Sequence, residues 1–381
     1  MQTLTPNISS VTNSGDTNRL LWLDFASGIM ILWMIVFHAI GCAWGYEIRG
    51  LWGINDASLL PEGVHAFINS EGKLEVLNPC VVFPWLHFFM PWFFYKSGQF
   101  FKKSSRRELW KKDSQKLLKT FLIWSAIGYV FFVLISLFND SFTLRKATYS
   151  VARGLLLRGQ VPINEPCWFL LTLFGVRIIA NNILPDREEK YAWFKIILVV
   201  IVGYVVSYLS YRFNHRLLPY WLANGAAGLS FFALGYALRD VERKWWLIIP
   251  CVVICIVCSI IGFPMVSMLN NELLSGIYLL NIPVSCCCIV VFNNLCRYLY
   301  KYLHFNLKIL ELIGQHAMTI YVVHMLIMTL TVEILRMNDV SLSANELLCL
   351  IILVYTVTLP LCCWLKNMYL CTIKNRYFSQ N

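Results

Sequence analysis

The chain has 381 residues, 58% of them hydrophobic and only 14% charged. Roughly 220 apolar side chains exceed what one soluble core holds, whereas ten crossings of a ~30 Å hydrocarbon layer at about 20 residues each absorb about 200 of them. That inventory excludes a disordered chain, a collagen and a secreted disulfide scaffold.

The formal charge of +11 would suit nucleic acid, anionic lipid or an anionic cofactor, and position decides between them. Eight basic residues fall within 102–119, directly after an apolar run, as in a cytoplasmic loop beside anionic lipid headgroups. No basic helix or finger motif points to nucleic acid.

In chain order, residues 1–19 read as a polar cytoplasmic segment. The apolar run over 20–44 is too long for a signal-peptide core and lacks a small-residue cleavage site, so it predicts a retained helix. Further runs cover 80–101, 117–138, 166–184, 194–211, 217–238, 245–263, 273–296, 309–335 and 347–365. Backbone groups in hydrocarbon must be satisfied within their own segment, which demands helices. The expected fold is therefore all-α and polytopic, with ten transmembrane helices.

With the N-terminus in the cytoplasm, 21 of the 32 Lys/Arg lie inside and nine outside, while Lys96 and Arg177 fall within helices. The positive-inside rule then puts both termini in the cytoplasm. Loop 45–79 carries Glu47, Asp56, Glu62, Glu71 and Glu75 and would lie outside, where it could cap a cavity. Outer loop 139–165, with Arg145, Lys146, Arg153 and Arg158, reads either as a solvated loop or as a surface for an anionic acceptor. No heptad, solenoid period or low-complexity tract interrupts the chain, so 20–365 forms one membrane domain and 366–381 a cytoplasmic tail.

All fourteen cysteines lie in or beside apolar runs and read as small buried hydrophobes. There is no paired CxxC arrangement near histidines, so no metal site is expected. Cys42, Cys80 and Cys167 sit near outer helix ends, where a disulfide is the alternative to free thiols.

Ionisable residues inside a membrane helix cost a few kcal/mol at mid-depth and usually face a cavity or a partner. At 1.5 Å per residue, His38 lies ~27 Å from the inner end of the first run, His87 ~10 Å deep from the outside, and His324 ~22 Å from the inner side. Three imidazoles thus share the outer half. Each alone reads equally as a ring bonded to a neighbouring helix; together they suit general-base chemistry on an alcohol near neutral pH. Asp24, Ser27 and His38 form one stripe of the first helix. Lys96, five residues from the inner end of the second run, is level with Ser27. It reads either as an interior cation for a phosphate or acyl carbonyl, or as a lysine snorkelling to the headgroups. Arg177 invites the same pair of readings.

These residues carry a family resemblance. Leu23-Asp24-Phe25-Ala26-Ser27-Gly28, followed by Val36-Phe37-His38, resembles the first helix of acyltransferase family 3, in which an LD motif precedes a histidine by this distance. In the same order, His87-Phe88-Phe89-Met90-Pro91-Trp92, Pro166-Cys167-Trp168-Phe169-Leu170, Phe231-Phe232-Ala233-Leu234-Gly235-Tyr236 and Ile313-Gly314 with Ile320-Tyr321-Val322-Val323-His324 are similar to further family segments.

The resemblance spans nearly the whole chain and is closest to the acetylases of fucose-like sugars and glucans. It implies transfer of an acyl group, usually acetyl from acetyl-CoA, to a sugar hydroxyl of an envelope polysaccharide or glycolipid. The chain would then be a multi-pass protein of a bacterial inner membrane. Its expected partners are acyl-CoA as donor substrate, a glycan or lipid-linked sugar acceptor and membrane lipid, with no tightly bound cofactor.

One departure stands out: members usually carry Arg or Lys three residues after the LD aspartate, and here that position is Ser27. Lys96, where the family more often has an apolar residue, would supply the charge from the next helix. Ideal geometry puts Lys96 and His87 on opposite faces, with Pro91 between them as a point of kinking.

The expected mechanism has acyl-CoA phosphates at Arg106, Arg107, Lys111 and Lys112 and its pantetheine arm between helices, near Asp24, Ser27 and Lys96. His38, oriented by His324 or another neighbour, deprotonates the acceptor, and His87, Glu165 and Trp168 shape the acceptor pocket. The transfer is either direct or through an acyl-histidine. Two rivals are a transporter using the same polar cavity and an inactive relative acting as a partner. The first lacks the paired halves with broken helices seen in repeat transporters.

Overall fold

The computed structural model describes residues 21–49, 66–68, 74–76, 86–138, 142–213, 218–268, 271–302, 308–338, 340 and 342–378. Its helices are α1 (Leu21–Arg49), α2 (Phe89–Gln99), α3 (Arg106–Asp113), α4 (Lys119–Phe138), α5 (Leu144–Arg153), α6 (Trp168–Ile183) and α7 (Ala192–Arg212). They continue as α8 (Tyr220–Leu238), α9 (Trp245–Ile261), α10 (Asn281–Tyr302), α11 (Lys308–Gln315), α12 (Ala317–Met337) and α13 (Ala344–Phe378). The protein is an all-α polytopic membrane protein, with two short antiparallel strand pairs among the described residues.

Among the described residues, eight helical segments are long and apolar enough to cross a membrane. They match eight of the ten expected runs. The other two, α2 and α9, are shorter than a full crossing at 11 and 17 residues. Gly262, at φ 98, ends α9, and residues 81–85 ahead of α2 lie outside the described residues. Residues 1–19, most of loop 45–79 and Cys80 lie outside them as well, whereas Cys42 and Cys167 are free thiols.

Several expected boundaries move for local reasons. The expected loop at 102–119 is largely helix. Ser105 caps α3 by accepting from Glu108 N while the Glu108 carboxylate accepts from Ser105 N, a capping box. A π-turn at Ser114–Leu118 then carries α3 directly into α4. The expected outer loop at 139–165 contains α5, capped by Thr143. The run over 273–296 begins as a hairpin of Met265–Ser267 with Glu272–Ser275, and its helix starts only at Asn281. Gly276 takes φ 72 there, which a β-carbon would strain, and a Cβ would also lie 2.9 Å from Pro264 Cα. The run over 309–335 splits at His316 into α11 and α12, and the expected tail is helical as far as Phe378.

In two pairs of helices, each partner presents a glycine to the other's backbone. A Cβ on Gly28 would lie 2.1 Å from Leu310 O and one on Gly314 would lie 1.8 Å from Asp24 O, so α1 and α11 each present a glycine to the other. The same reciprocity joins α2 to α8, through Gly98 against Phe232 O and Gly235 against Tyr95 O. Between helices in lipid there is no hydrophobic driving force, so close approach and the dispersion it allows supply the adhesion. These contacts bury Trp92, Phe94, Tyr95, Phe231 and Phe232 almost completely and seat Ser27 and Lys96 side by side.

Candidate functional site

Two of the three membrane histidines meet. His324 Nε2 lies 3.4 Å from His38 Nδ1, with ring centroids 5.1 Å apart. The backbone assigns the protons. His324 Nδ1 sits 2.8 Å from Tyr321 O, a carbonyl that can only accept, so Nδ1 carries the proton and Nε2 is left as an acceptor. His38 Nδ1 lies 2.9 Å from Met34 O and is protonated by the same reasoning, sharing that proton with Met34 O and His324 Nε2. His38 Nε2 keeps its lone pair. This is the tautomer in which an imidazole can take a proton from an alcohol, held by a second residue in the manner of a triad.

The pair is supported on several sides. Tyr355 on α13 donates to His324 O at 2.8 Å, and Phe37 stands edge-on to the His38 ring. Tyr321, one turn before His324, donates its hydroxyl to Pro166 O and packs on Phe169. The Pro166–Trp168 corner is thereby tied to the helix that carries His324, and Trp168 is buried beside it. Glu165 is exposed at the same corner. His87 is held elsewhere, by Ser285 Oγ at 3.3 Å and the Phe263 ring. It precedes α2, and Pro91 occupies the first turn, where proline needs no kink, so Lys96 and His87 keep separate neighbours.

Eleven residues earlier on α1, ~16 Å along its axis, Ser27 is fully buried and Lys96 Nζ donates to its Oγ at 2.6 Å. The Ser27 hydroxyl in turn donates to Leu23 O. Lys96 therefore lies against the stripe of Asp24, Ser27 and His38 at position 27, rather than reaching for the headgroups. Asp24 is buried one turn away, its carbonyl against Gly314. Arg177 is settled differently, in an ion pair with the buried Asp113 carboxylate at 2.7 Å.

Arg106, Arg107, Lys111 and Lys112 are all exposed on α3. A cavity of about 250 Å³ opens beside them, lined by Lys102, Lys103, Lys112 and Arg177 with Glu108 as its acid. Only Lys112 of the four expected phosphate-binding residues lines it.

The sequence reading missed a buried polar network at this end of the bundle. Glu242, in the turn between α8 and α9, is completely buried. Its carboxylate accepts from Gln99 and Asn293, both at 2.6 Å, and from Arg297 at 2.5 Å, and Arg297 stacks over Trp22 on α1. The available signals were an acid among the basic residues Arg239, Arg243 and Lys244, and an Asn293-Asn294 pair inside an apolar helix.

Long apolar helices that hold a half-buried His38 against a buried His324, and a half-buried lysine against a buried serine, describe an integral membrane protein with ionisable groups inside its helices. The family model for an acyltransferase domain, that of acyltransferase family 3, matches residues 20–366, about nine-tenths of the chain. The chain belongs to this family and is a membrane acyltransferase. No curated protein and no solved structure matches it.

Proposed function

We propose that the protein transfers an acyl group, acetyl first among them, from cytosolic acyl-CoA to a sugar hydroxyl of an envelope polysaccharide or glycolipid, as a fucose- or glucan-type acetylase of a bacterial inner membrane. The observation that carries this reading is the His38–His324 contact, whose hydrogen bonds leave His38 Nε2 unprotonated. Ten crossings with both termini cytoplasmic, the count and orientation argued from hydropathy and charge, give the donor the basic end and the acceptor the histidine end. The ~16 Å between Ser27 and His38 is then the distance the pantetheine arm covers, with its phosphates among Arg106, Arg107, Lys111 and Lys112.

His38 Nε2 takes the acceptor's hydroxyl proton as the oxygen attacks the thioester carbonyl. The carbon–sulfur bond breaks, and the CoA thiolate leaves with that proton. His324 Nε2 accepts from the Nδ1–H of the His38 imidazolium while it exists. His87, Glu165 and Trp168 border the acceptor, and Lys96, beside Ser27 and Asp24, takes the role that the family's usual cation has at position 27.

The test is incubation of purified protein in sealed proteoliposomes with radiolabelled acetyl-CoA and a panel of envelope glycans. Label appearing on a glycan supports the reading. Glycan movement across the bilayer without label would make it a transporter, and donor binding without turnover an inactive partner.

The assignment of Lys96 has its own expected result. Lys96→Ala raises the donor KM about 10- to 100-fold, the worth of one hydrogen bond to a charged group. Ser27→Arg combined with Lys96→Leu, which returns the cation to α1, restores it. Unchanged donor kinetics in Lys96→Ala would remove Lys96 from the donor site.

A further inference from the structure

A lysine five residues from the end of an apolar run ordinarily extends along the helix to the headgroups. Lys96 instead lies against Ser27, and a continuous set of contacts explains why. Its Nζ is 5.1 Å from the centroid of Trp92, one turn earlier on α2. Trp92 is fully buried, and its indole Nε1–H donates to Asn293 Oδ1 at 2.8 Å. That bond fixes the orientation of the amide, because Nδ2 must then point the other way, and it donates to Glu242 Oε1 at 2.6 Å. Glu242 is anchored in turn by Gln99, three residues beyond Lys96 on the same helix, and by Arg297.

We propose that Trp92, Asn293 and Glu242 are positioning residues for Lys96: a carboxylate-to-amide-to-indole relay that fixes the aromatic face on which the ammonium rests and so keeps the cation at Ser27. The proposal rests on the reading of Lys96 as a donor-binding cation. A ring that only filled space here would do as well as phenylalanine, which asks for no buried acceptor; the indole brings an N–H that must be satisfied, and Asn293 satisfies it in one orientation only. The relay lies toward the Ser27 end of α1, so it governs where the donor binds and leaves the proton transfer at His38 alone.

The experiment measures donor KM, acceptor KM and kcat in nanodiscs for Trp92→Phe, Lys96→Ala and the double variant. Trp92→Phe keeps an aromatic face and deletes the N–H. The expected result is a donor KM raised about tenfold, with kcat and acceptor KM within about twofold, and no additional rise when Lys96→Ala is combined with it. Asn293→Ala, which deletes the bridge and leaves the indole, gives the same pattern and takes over the test if Trp92→Phe does not purify as a folded protein.

A donor KM unchanged by either variant, while Lys96→Ala raises it, overturns the relay and leaves the donor reading standing. Fully additive effects, or a fall in kcat at constant donor KM, also overturn it, because they mark a general structural role. No effect of Lys96→Ala itself would sink the donor reading on which the relay rests.

Discussion

His38→Ala is expected to abolish acyl transfer, with kcat down about 10²- to 10⁴-fold, the range that a positioned general base contributes. Donor KM stays close to its starting value, because Ser27 and Lys96 lie ~16 Å along α1 from the deleted ring. The protein still purifies from membranes: His38 is half-buried, and its main bonds are to its own helix and to His324.

His324→Ala has the smaller effect of losing an orienting group, and combining it with His38→Ala costs little beyond His38→Ala alone, since the two act as a unit. The measurement is label transfer from acetyl-CoA under saturating and limiting donor. Turnover by His38→Ala at the parent rate would remove the imidazole from the reaction and take the proposed mechanism with it.

Gly314→Val produces the largest loss of folded protein. A β-carbon at this position meets Asp24 O at 1.8 Å and the Gly28 backbone nitrogen at 3.0 Å, both main-chain atoms of α1 that no rotamer change can move aside. Helices α1 and α11 must separate, which forfeits the reciprocal seat of Gly28 against Leu310 and opens the buried segment holding Asp24 and Ser27. The expected cost is roughly 3 kcal/mol or more, large for a single substitution and of the overpacking kind. It is read as loss of the monodisperse fraction in detergent and a lowered Tm. Gly175→Ala is the control, because a Cβ there meets nothing within 4 Å and adds helix propensity. Equal stability of Gly314→Val and Gly175→Ala would show that the α1–α11 approach is looser than described.

Much of this architecture was legible before any coordinates. Each of the ten expected stretches contains a helix, and eight of these are long and apolar enough to cross a membrane, because length and hydropathy determine what can reside in hydrocarbon whatever the neighbours are. Ser27 and Lys96 could be set level by counting rise per residue from opposite ends of antiparallel runs, and the contact between them follows that count. The family motifs carry glycines whose purpose, backbone contact between α1 and α11 and between α2 and α8, is a property of pairs of helices and invisible in either alone.

The sequence by itself determined the class of protein, the presence of helices and the depth of each ionisable residue along its own helix, since these depend on local composition and a fixed rise. Only the tertiary structure decided which residues at equal depth face one another. It brought His38 to His324 while giving His87 to Ser285, tied Arg177 to Asp113, and assembled Glu242, Asn293 and Arg297 from distant segments. Depth is a one-dimensional quantity that a chain carries with it, whereas azimuth around the bundle is set by which helices pack together, through contacts between residues up to 286 positions apart.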